Sequence, residues 1–412
     1  MKTFNVPEFY RSPLIAQVKQ FRKTQDARKK DTSPTVLTFG PVKYYIARHF
    51  GFCYGVENAI EIAFKALEEN QGKQIYLLSE MIHNPDVNRD LLSRGVQFLQ
   101  DTHGKQLISF DTLTANDVVV IPAFGAPLQL LERIEKIGID TKTYNTTCPF
   151  VERVWKKSEQ IGASKHTIII HGKYAHEETR STFSRSARDS DAVVVVYNMH
   201  ESERLAHYLH GRGTQAEFEV EFKHKFSEGF DVSRHFEKVG VINQTTMLAT
   251  ETAEIAAYFR TQMIEKYGED AIKNHFADTR DTLCYATNEN QDAVYGLLKT
   301  NADVAIVVGG YNSSNTTHLA ELCENHFPTF FIESEKCIEQ LDAIRHFDFH
   351  NKKEIHSTSF LETKTTPNIA LTSGASCPDS LLDAVMHRIN SFYPGALEMS
   401  APITTYPSNH AN

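Results

Sequence analysis

The chain has 412 residues, 41% hydrophobic and 23% charged, which is the composition of a globular protein long enough for two or three domains. Its net charge of −9 excludes a general electrostatic footprint for nucleic acid, so an anionic ligand has to be met by local groups. No run approaches the roughly 20 apolar residues of a membrane-spanning helix, and six cysteines are too sparse for a disulfide scaffold and read as reduced thiols.

Residues 1–40 form a basic segment carrying Arg22, Lys23, Arg28, Lys29 and Lys30, with Leu14, Ile15, Val18 and Phe21 on one face of a short helix. They read as a mobile or surface-packed arm. Serine is scarce and Glu8, Asp26 and Asp31 are present, so a bacterial-type cytoplasmic setting is expected in preference to a plastid one. From Tyr44 onward, short β-branched runs alternate with helical patterns. Strands are predicted at 44–47, 74–78, 117–122, 167–171, 192–197, 239–243, 304–308, 329–332 and 368–371. Helices are predicted at 57–68, 129–137, 250–266 and 290–299. The strands are near-continuous Val and Ile, as parallel strands buried on both faces require. Three successive α/β units are expected, at 41–145, 146–280 and 281–390, followed by a tail at 391–412. A polar insertion at 211–238, rich in Phe, Glu, Lys and His, reads as a surface loop or hairpin, with a plain surface role expected ahead of docking an electron donor.

Cys53, Cys148 and Cys284 lie in similar contexts, each followed at once by a helical pattern, and Pro149 fits the first turn after Cys148. A helix N-terminus favours a thiolate. Three such units suggest a pseudo-threefold arrangement of mainly parallel sheets with the sulfurs converging at its centre. Cys323 and Cys337 sit in apolar surroundings and read as packed thiols. Spacing alone leaves three readings open for the repeated cysteines: an iron–sulfur cluster, a structural zinc site, or burial as small hydrophobes.

Polar residues gather where the strands should end, the usual place for ligands in α/β folds. His83 follows the second strand; His171 ends the fourth, and His176 and Glu178 follow it; Thr245 follows the sixth. Ser313, Ser314, Asn315 and Ser376 follow the seventh and last. Such strand–turn–helix junctions offer N–H, hydroxyl and imidazole donors to phosphate oxygens. His171 lies close to its strand and reads as packed, whereas Glu178 can donate or relay protons. There is neither a Walker loop nor a GxGxxG junction, so electrons are expected from another protein rather than from a bound dinucleotide.

These segments resemble the LytB/IspH family of 4-hydroxy-3-methylbut-2-enyl diphosphate reductases, from about Tyr44 to His387. The resemblance is carried by GFCYGVENAI at Gly51–Ile60, MIHN at Met81–Asn84, TTCPFV at Thr146–Val151 and HGKYAHEET at His171–Thr179. INQTT at Ile242–Thr246, CYATNENQ at Cys284–Gln291, YNSSN at Tyr311–Asn315 and SGASCPD at Ser373–Asp379 follow in the family's order. The resemblance implies a 4Fe-4S cluster on Cys53, Cys148 and Cys284 with one iron open to substrate. It implies reductive removal of the substrate hydroxyl to give isopentenyl and dimethylallyl diphosphates, the last step of the non-mevalonate isoprenoid pathway. It further implies diphosphate binding by His83, His176, Ser313, Ser314, Asn315 and Ser376, a proton relay at Glu178, and placement of the substrate hydroxyl by Thr245. A ferredoxin or flavodoxin is the implied electron donor. Many bacterial members carry a histidine where this chain has Phe124, which places it with the plant and cyanobacterial branch. The competing expectation is a non-catalytic phosphate-binding α/β protein with structural zinc.

Overall fold

The computed structural model describes residues 4–277, 282–358, 360–361, 364–396 and 403–405. The junction of the second and third expected units, at 278–281, and most of the expected tail lie outside the described residues. The chain is α/β with mainly parallel sheets and divides into two compact units. Unit 1 gathers residues 1–57, 83–88 and 285–412; unit 2 gathers 58–82 and 89–284.

Unit 1 is built on a six-stranded sheet. Thr329–Ile332, Val304–Val308, Asn368–Ser373 and Val42–Ile46 run parallel, and Thr35–Phe39 and Ile403–Thr405 add antiparallel strands at one edge. Val304, Ile306 and Val308 enter one apolar cluster while Ala305 and Val307 enter another. Successive side chains point to opposite faces, so two buried faces require the unbroken apolar run seen in the sequence. Where three successive units are expected, the strand opening the first pairs instead with Asn368–Ser373 near the chain's end.

Of the two expectations for the N-terminal arm, mobile or surface-packed, its described residues 4–40 show a packed segment. Pro13–Gln25 is a helix whose Ser12 caps it by accepting from Ile15 N–H, and Ile15 and Val18 are buried in the unit 1 core. Its polar side is fastened too: Lys19 pairs with Asp379 at 2.7 Å and Ser12 Oγ donates to Asp383 at 2.6 Å. The periodic Leu14, Ile15 and Val18 carried that signal; the neighbouring positive charge drew the reading toward solvent.

Unit 2 holds two all-parallel sheets. One orders Gln97–Phe98, Ile75–Leu77 and Val118–Val120; the other orders Val193–Val196, Thr167–His171, Val239–Asn243 and Phe276–Ala277. The insertion at 211–238 is not a surface loop. Thr214 and Glu217 form a capping box that starts the helix Gln215–Glu221. Phe218, Phe222, Phe230 and Phe236 are buried in the core behind the larger sheet. Phenylalanines at 218, 222, 226 and 230 recur every four residues, an apolar periodicity that the surrounding Glu and Lys disguised.

Candidate functional site

Each of the three repeated cysteines directly precedes a helix: Tyr54–Glu69, Pro149–Ala163 and Tyr285–Leu297. Cys148 takes the N-cap position, with φ −64° and ψ 131°. None of the six cysteines is in a disulfide; Cys53, Cys148 and Cys284 are partly exposed, whereas Cys323, Cys337 and Cys377 are buried. That contrast separates thiols available to a ligand from thiols used as packing.

In unit 2, burial pushes the Cys148 thiol up to about 12. The Phe150 and Val151 amides oppose this, and the neighbouring Cys284 and Glu178 charges add to it. A neutral thiol is therefore the resting state of the metal-free chain, and a bound cation would convert it to thiolate. Among the described residues, no group of three His, Cys, Asp or Glu side chains converges on a single metal ion. A cluster places each thiolate on a different iron, so its ligands need not share one ion position. Partly exposed thiols outside any disulfide are the donor chemistry such a group takes.

Glu178 is 1% exposed, in the first turn of the helix Glu177–Asp189. Its Oε1 accepts from Thr245 N–H at 2.6 Å and its Oε2 meets Thr245 Oγ1 at 2.9 Å. The Thr245 carbonyl in turn accepts from Cys284 N–H at 3.1 Å. The turn after Val239–Asn243 thereby links the carboxylate to a cysteine. His176 caps the Glu178 helix: its Nδ1 accepts from Glu178 N–H at 3.1 Å. In the neutral ring this puts the proton on Nε2, which makes that edge a donor. Phe124 stands edge-on to the His176 ring, centroids 5.5 Å apart, and its carbonyl accepts from Ser181 Oγ at 2.7 Å. The phenylalanine supplies a wall where an imidazole would supply another donor. Gly125, at φ +71°, turns that wall beneath Trp155, which lies 2.6 Å from where a Cβ would stand.

Unit 1 collects the remaining candidates. Ser313 caps the helix Ser314–Glu324, accepting from Thr316 N–H at 3.2 Å and contacting Thr316 Oγ1 at 2.9 Å. Asn315 is 3% exposed; its Oδ1 accepts from Ala375 N–H at 2.9 Å, while its Nδ2 is a buried donor with no partner. A buried donor without an acceptor is costly unless a ligand satisfies it. Ser376 Oγ donates to the His83 carbonyl at 3.0 Å, and the same carbonyl lies 2.5 Å from where a Gly310 Cβ would stand. Cys53 N–H donates to Ala375 O at 3.1 Å, so the cysteine and the serine turn are one construction. His83, Ser313, Ser314, Asn315 and Ser376 are all buried in unit 1, and His176, Glu178 and Thr245 lie in unit 2.

Some supporting residues escaped the sequence reading. Gln244 Oε1 accepts from Lys173 N–H and Thr179 Oγ1, both at 3.1 Å, fastening the Thr245 turn to the His176 turn. Asn84 Oδ1 accepts from Asp86 and Val87 N–H, each at 3.1 Å, and sets the helix after His83. Both belong to motifs already singled out, but nothing in the sequence separates a framework amide from a ligand. His171 is packed as expected, fully buried with Nδ1 3.2 Å from Thr252 Oγ1.

The family model described as "LytB protein" matches residues 44–390. A 4-hydroxy-3-methylbut-2-enyl diphosphate reductase of Trichodesmium erythraeum is 36% identical over 92% of this chain and 89% of its own length. One of Microcystis aeruginosa is 38% identical over 86% of each chain. Among solved structures, the E-1-hydroxy-2-methyl-but-2-enyl-4-diphosphate reductase of Plasmodium falciparum aligns with a TM-score of 0.59 at 21% identity, covering 82% of this chain and 85% of that one. A structure of (E)-4-hydroxy-3-methyl-but-2-enyl diphosphate reductase, described as the terminal enzyme of the non-mevalonate pathway, aligns at 0.50 and 23% identity, covering 84% and 99%. This chain belongs to the LytB family.

Proposed function

We propose that the chain is a 4-hydroxy-3-methylbut-2-enyl diphosphate reductase that removes the substrate's allylic hydroxyl as water and releases isopentenyl and dimethylallyl diphosphates. The family match along residues 44–390 carries this reading. The balance is one C–O bond broken and one C–H bond formed, with two electrons and two protons consumed. Cys53, Cys148 and Cys284 are the residues that would hold a 4Fe-4S cluster, which when bound supplies the electrons and a Lewis-acidic site for the hydroxyl.

The chain's own groups divide the remaining work. Asn315 Nδ2, the Ser313 hydroxyl and His83 offer donors to the diphosphate, His176 offers Nε2–H, and the Ser376 hydroxyl joins them by turning from the His83 carbonyl. Ser314, at the start of the same helix, adds a hydroxyl and the helix's positive end. Glu178 holds the proton to be delivered. When protonated, its Oε2–H donates to Thr245 Oγ1, whose own hydrogen can then pass to the leaving oxygen. Thr245 thus both aims the hydroxyl and relays the proton. Phe124 keeps water from one side of His176.

A small one-electron carrier protein such as ferredoxin or flavodoxin is the fitting donor, because no dinucleotide motif is present. No helix among the described residues is long and apolar enough to cross a membrane, and six cysteines outside any disulfide suit a reducing, cytoplasmic setting. The test is an anaerobic assay of reconstituted protein with the hydroxymethylbutenyl diphosphate and a chemical reductant. Both five-carbon diphosphates should appear, from a brown, oxygen-sensitive protein. Stoichiometric zinc without iron, and no turnover, would sink the reading.

A further inference from the structure

The antiparallel hairpin Ala343–Asp348/Lys353–Thr358 has little core of its own: Lys353–Thr358 is mostly exposed. A lone hairpin is marginal in water, so its anchorage elsewhere indicates what it does. It is fastened to Tyr311, the residue that opens the Tyr311–Asn315 turn. The Tyr311 ring stacks on Phe347 with centroids 4.6 Å apart and planes 10° from parallel. Phe331 meets both rings edge-on, at 5.3 Å and 5.9 Å. Tyr311 Oη donates to Glu354 Oε1 at 3.1 Å, directly across the register from Phe347. The same Glu354 oxygen pairs with Arg345 at 2.7 Å, which holds the carboxylate in place. One side of the turn is thus fixed by the hairpin. The other is fixed by Asn315 on Ala375 N–H and by Gly310 against the His83 carbonyl.

We propose that the hairpin is a brace: Tyr311, held by Phe347 and Glu354, is a positioning residue that sets the aim of the Ser313 and Asn315 donors on the diphosphate. The inference rests on the reading that these donors bind diphosphate. A turn between a strand and a helix has several low-energy courses, and a donor displaced by about 1 Å loses most of a charge-assisted hydrogen bond. Removing the brace loosens the diphosphate without touching it.

Inorganic pyrophosphate is the probe, used as a competitive inhibitor of the reconstituted enzyme, with thermal melting recorded for every variant. Tyr311→Phe, which keeps the ring stack, and Glu354→Ala should each raise the pyrophosphate inhibition constant about 3- to 10-fold, one hydrogen bond's worth. KM should rise in step while kcat stays near wild type. Glu354→Gln, whose amide oxygen can still accept from Tyr311, should largely restore affinity. In the Tyr311→Phe background, Glu354→Ala should have no further effect, the mark of a shared contact. Unchanged pyrophosphate affinity in Tyr311→Phe, or additive effects of the pair, overturns the brace. Ser313→Ala and Asn315→Ala separate the two claims: if both bind pyrophosphate like wild type, the diphosphate reading fails. If both lose it while Tyr311→Phe does not, only the brace fails.

Discussion

Units 1 and 2 both gather polar side chains where parallel strands end, but they spend hydrogen-bonding capacity differently. In unit 2 both oxygens of the buried Glu178 are engaged by Thr245. In unit 1 the equally buried Asn315 keeps its Nδ2 unspent. A satisfied carboxylate paired with a hydroxyl is equipped to hold and pass a proton at low reorganisation cost. An unsatisfied amide donor waits for an acceptor from outside. On the proposed reading, binding and proton delivery are therefore separable by mutation.

The largest expected effect follows on the proton side. Glu178→Gln should cut turnover by about 10²- to 10⁴-fold, the usual yield of a positioned acid. Inhibition by pyrophosphate and the cluster's absorbance should stay near wild type; loss of pyrophosphate binding in that variant would erase the division between the units. Next, Phe218→Ala should lower the melting temperature through a loss of about 3–5 kcal/mol, as for a large aromatic removed from a core. KM should not follow. A melting curve like that of wild type would return the 211–238 insertion to the surface.

Asn315→Ala is expected to weaken pyrophosphate about 10- to 100-fold, since hydrogen bonds to charged groups contribute about 1.5–3 kcal/mol. A small kcat change alongside it would sharpen the contrast with Glu178. The smallest effect lies at His49 in unit 1. Burial depresses its pKa to about 4, helped by Arg48, Lys29 and Arg22. Asp26 favours the charged ring, but its attraction is outweighed. The folded state thus binds this proton less readily than the unfolded chain. The stabilisation is complete above pH about 6.5 and drains away as pH falls toward 4. His49→Gln should flatten that acid limb in melting curves taken between those pH values.

Much of this was legible in the sequence, and particular residues show why. Val304–Val308 and Thr167–His171 match their strands end to end, because a strand buried on both faces leaves an unbroken apolar run. Cys148 could be placed at a helix start because Pro149 is tolerated at few other helical positions. What failed was long-range pairing. Nothing local in Val42–Ile46 says that its partner is Asn368–Ser373, more than 300 residues away. The strands 343–348 and 353–358 lacked a continuous apolar run because they are partly exposed, so the hairpin and its grip on Tyr311 went unseen. The unspent Asn315 nitrogen is likewise a property of packing, visible only once Ala375 has claimed the oxygen of the same amide.

That long-range pairing has a consequence for how the molecule is made. Most of unit 2 lies in one stretch, residues 89–284, and can fold while the ribosome is still at work. Unit 1 cannot. Its sheet needs Thr35–Ile46 from the start of the chain and Asn368–Ser373 from near the end. The amide of Cys53 finds its acceptor only when Ala375 has been synthesised. Cys53, the first of the repeated set in chain order, thus gains this anchor only after Cys148 and Cys284 have been made, and a chain stopped short of residue 375 would carry Cys53 without it.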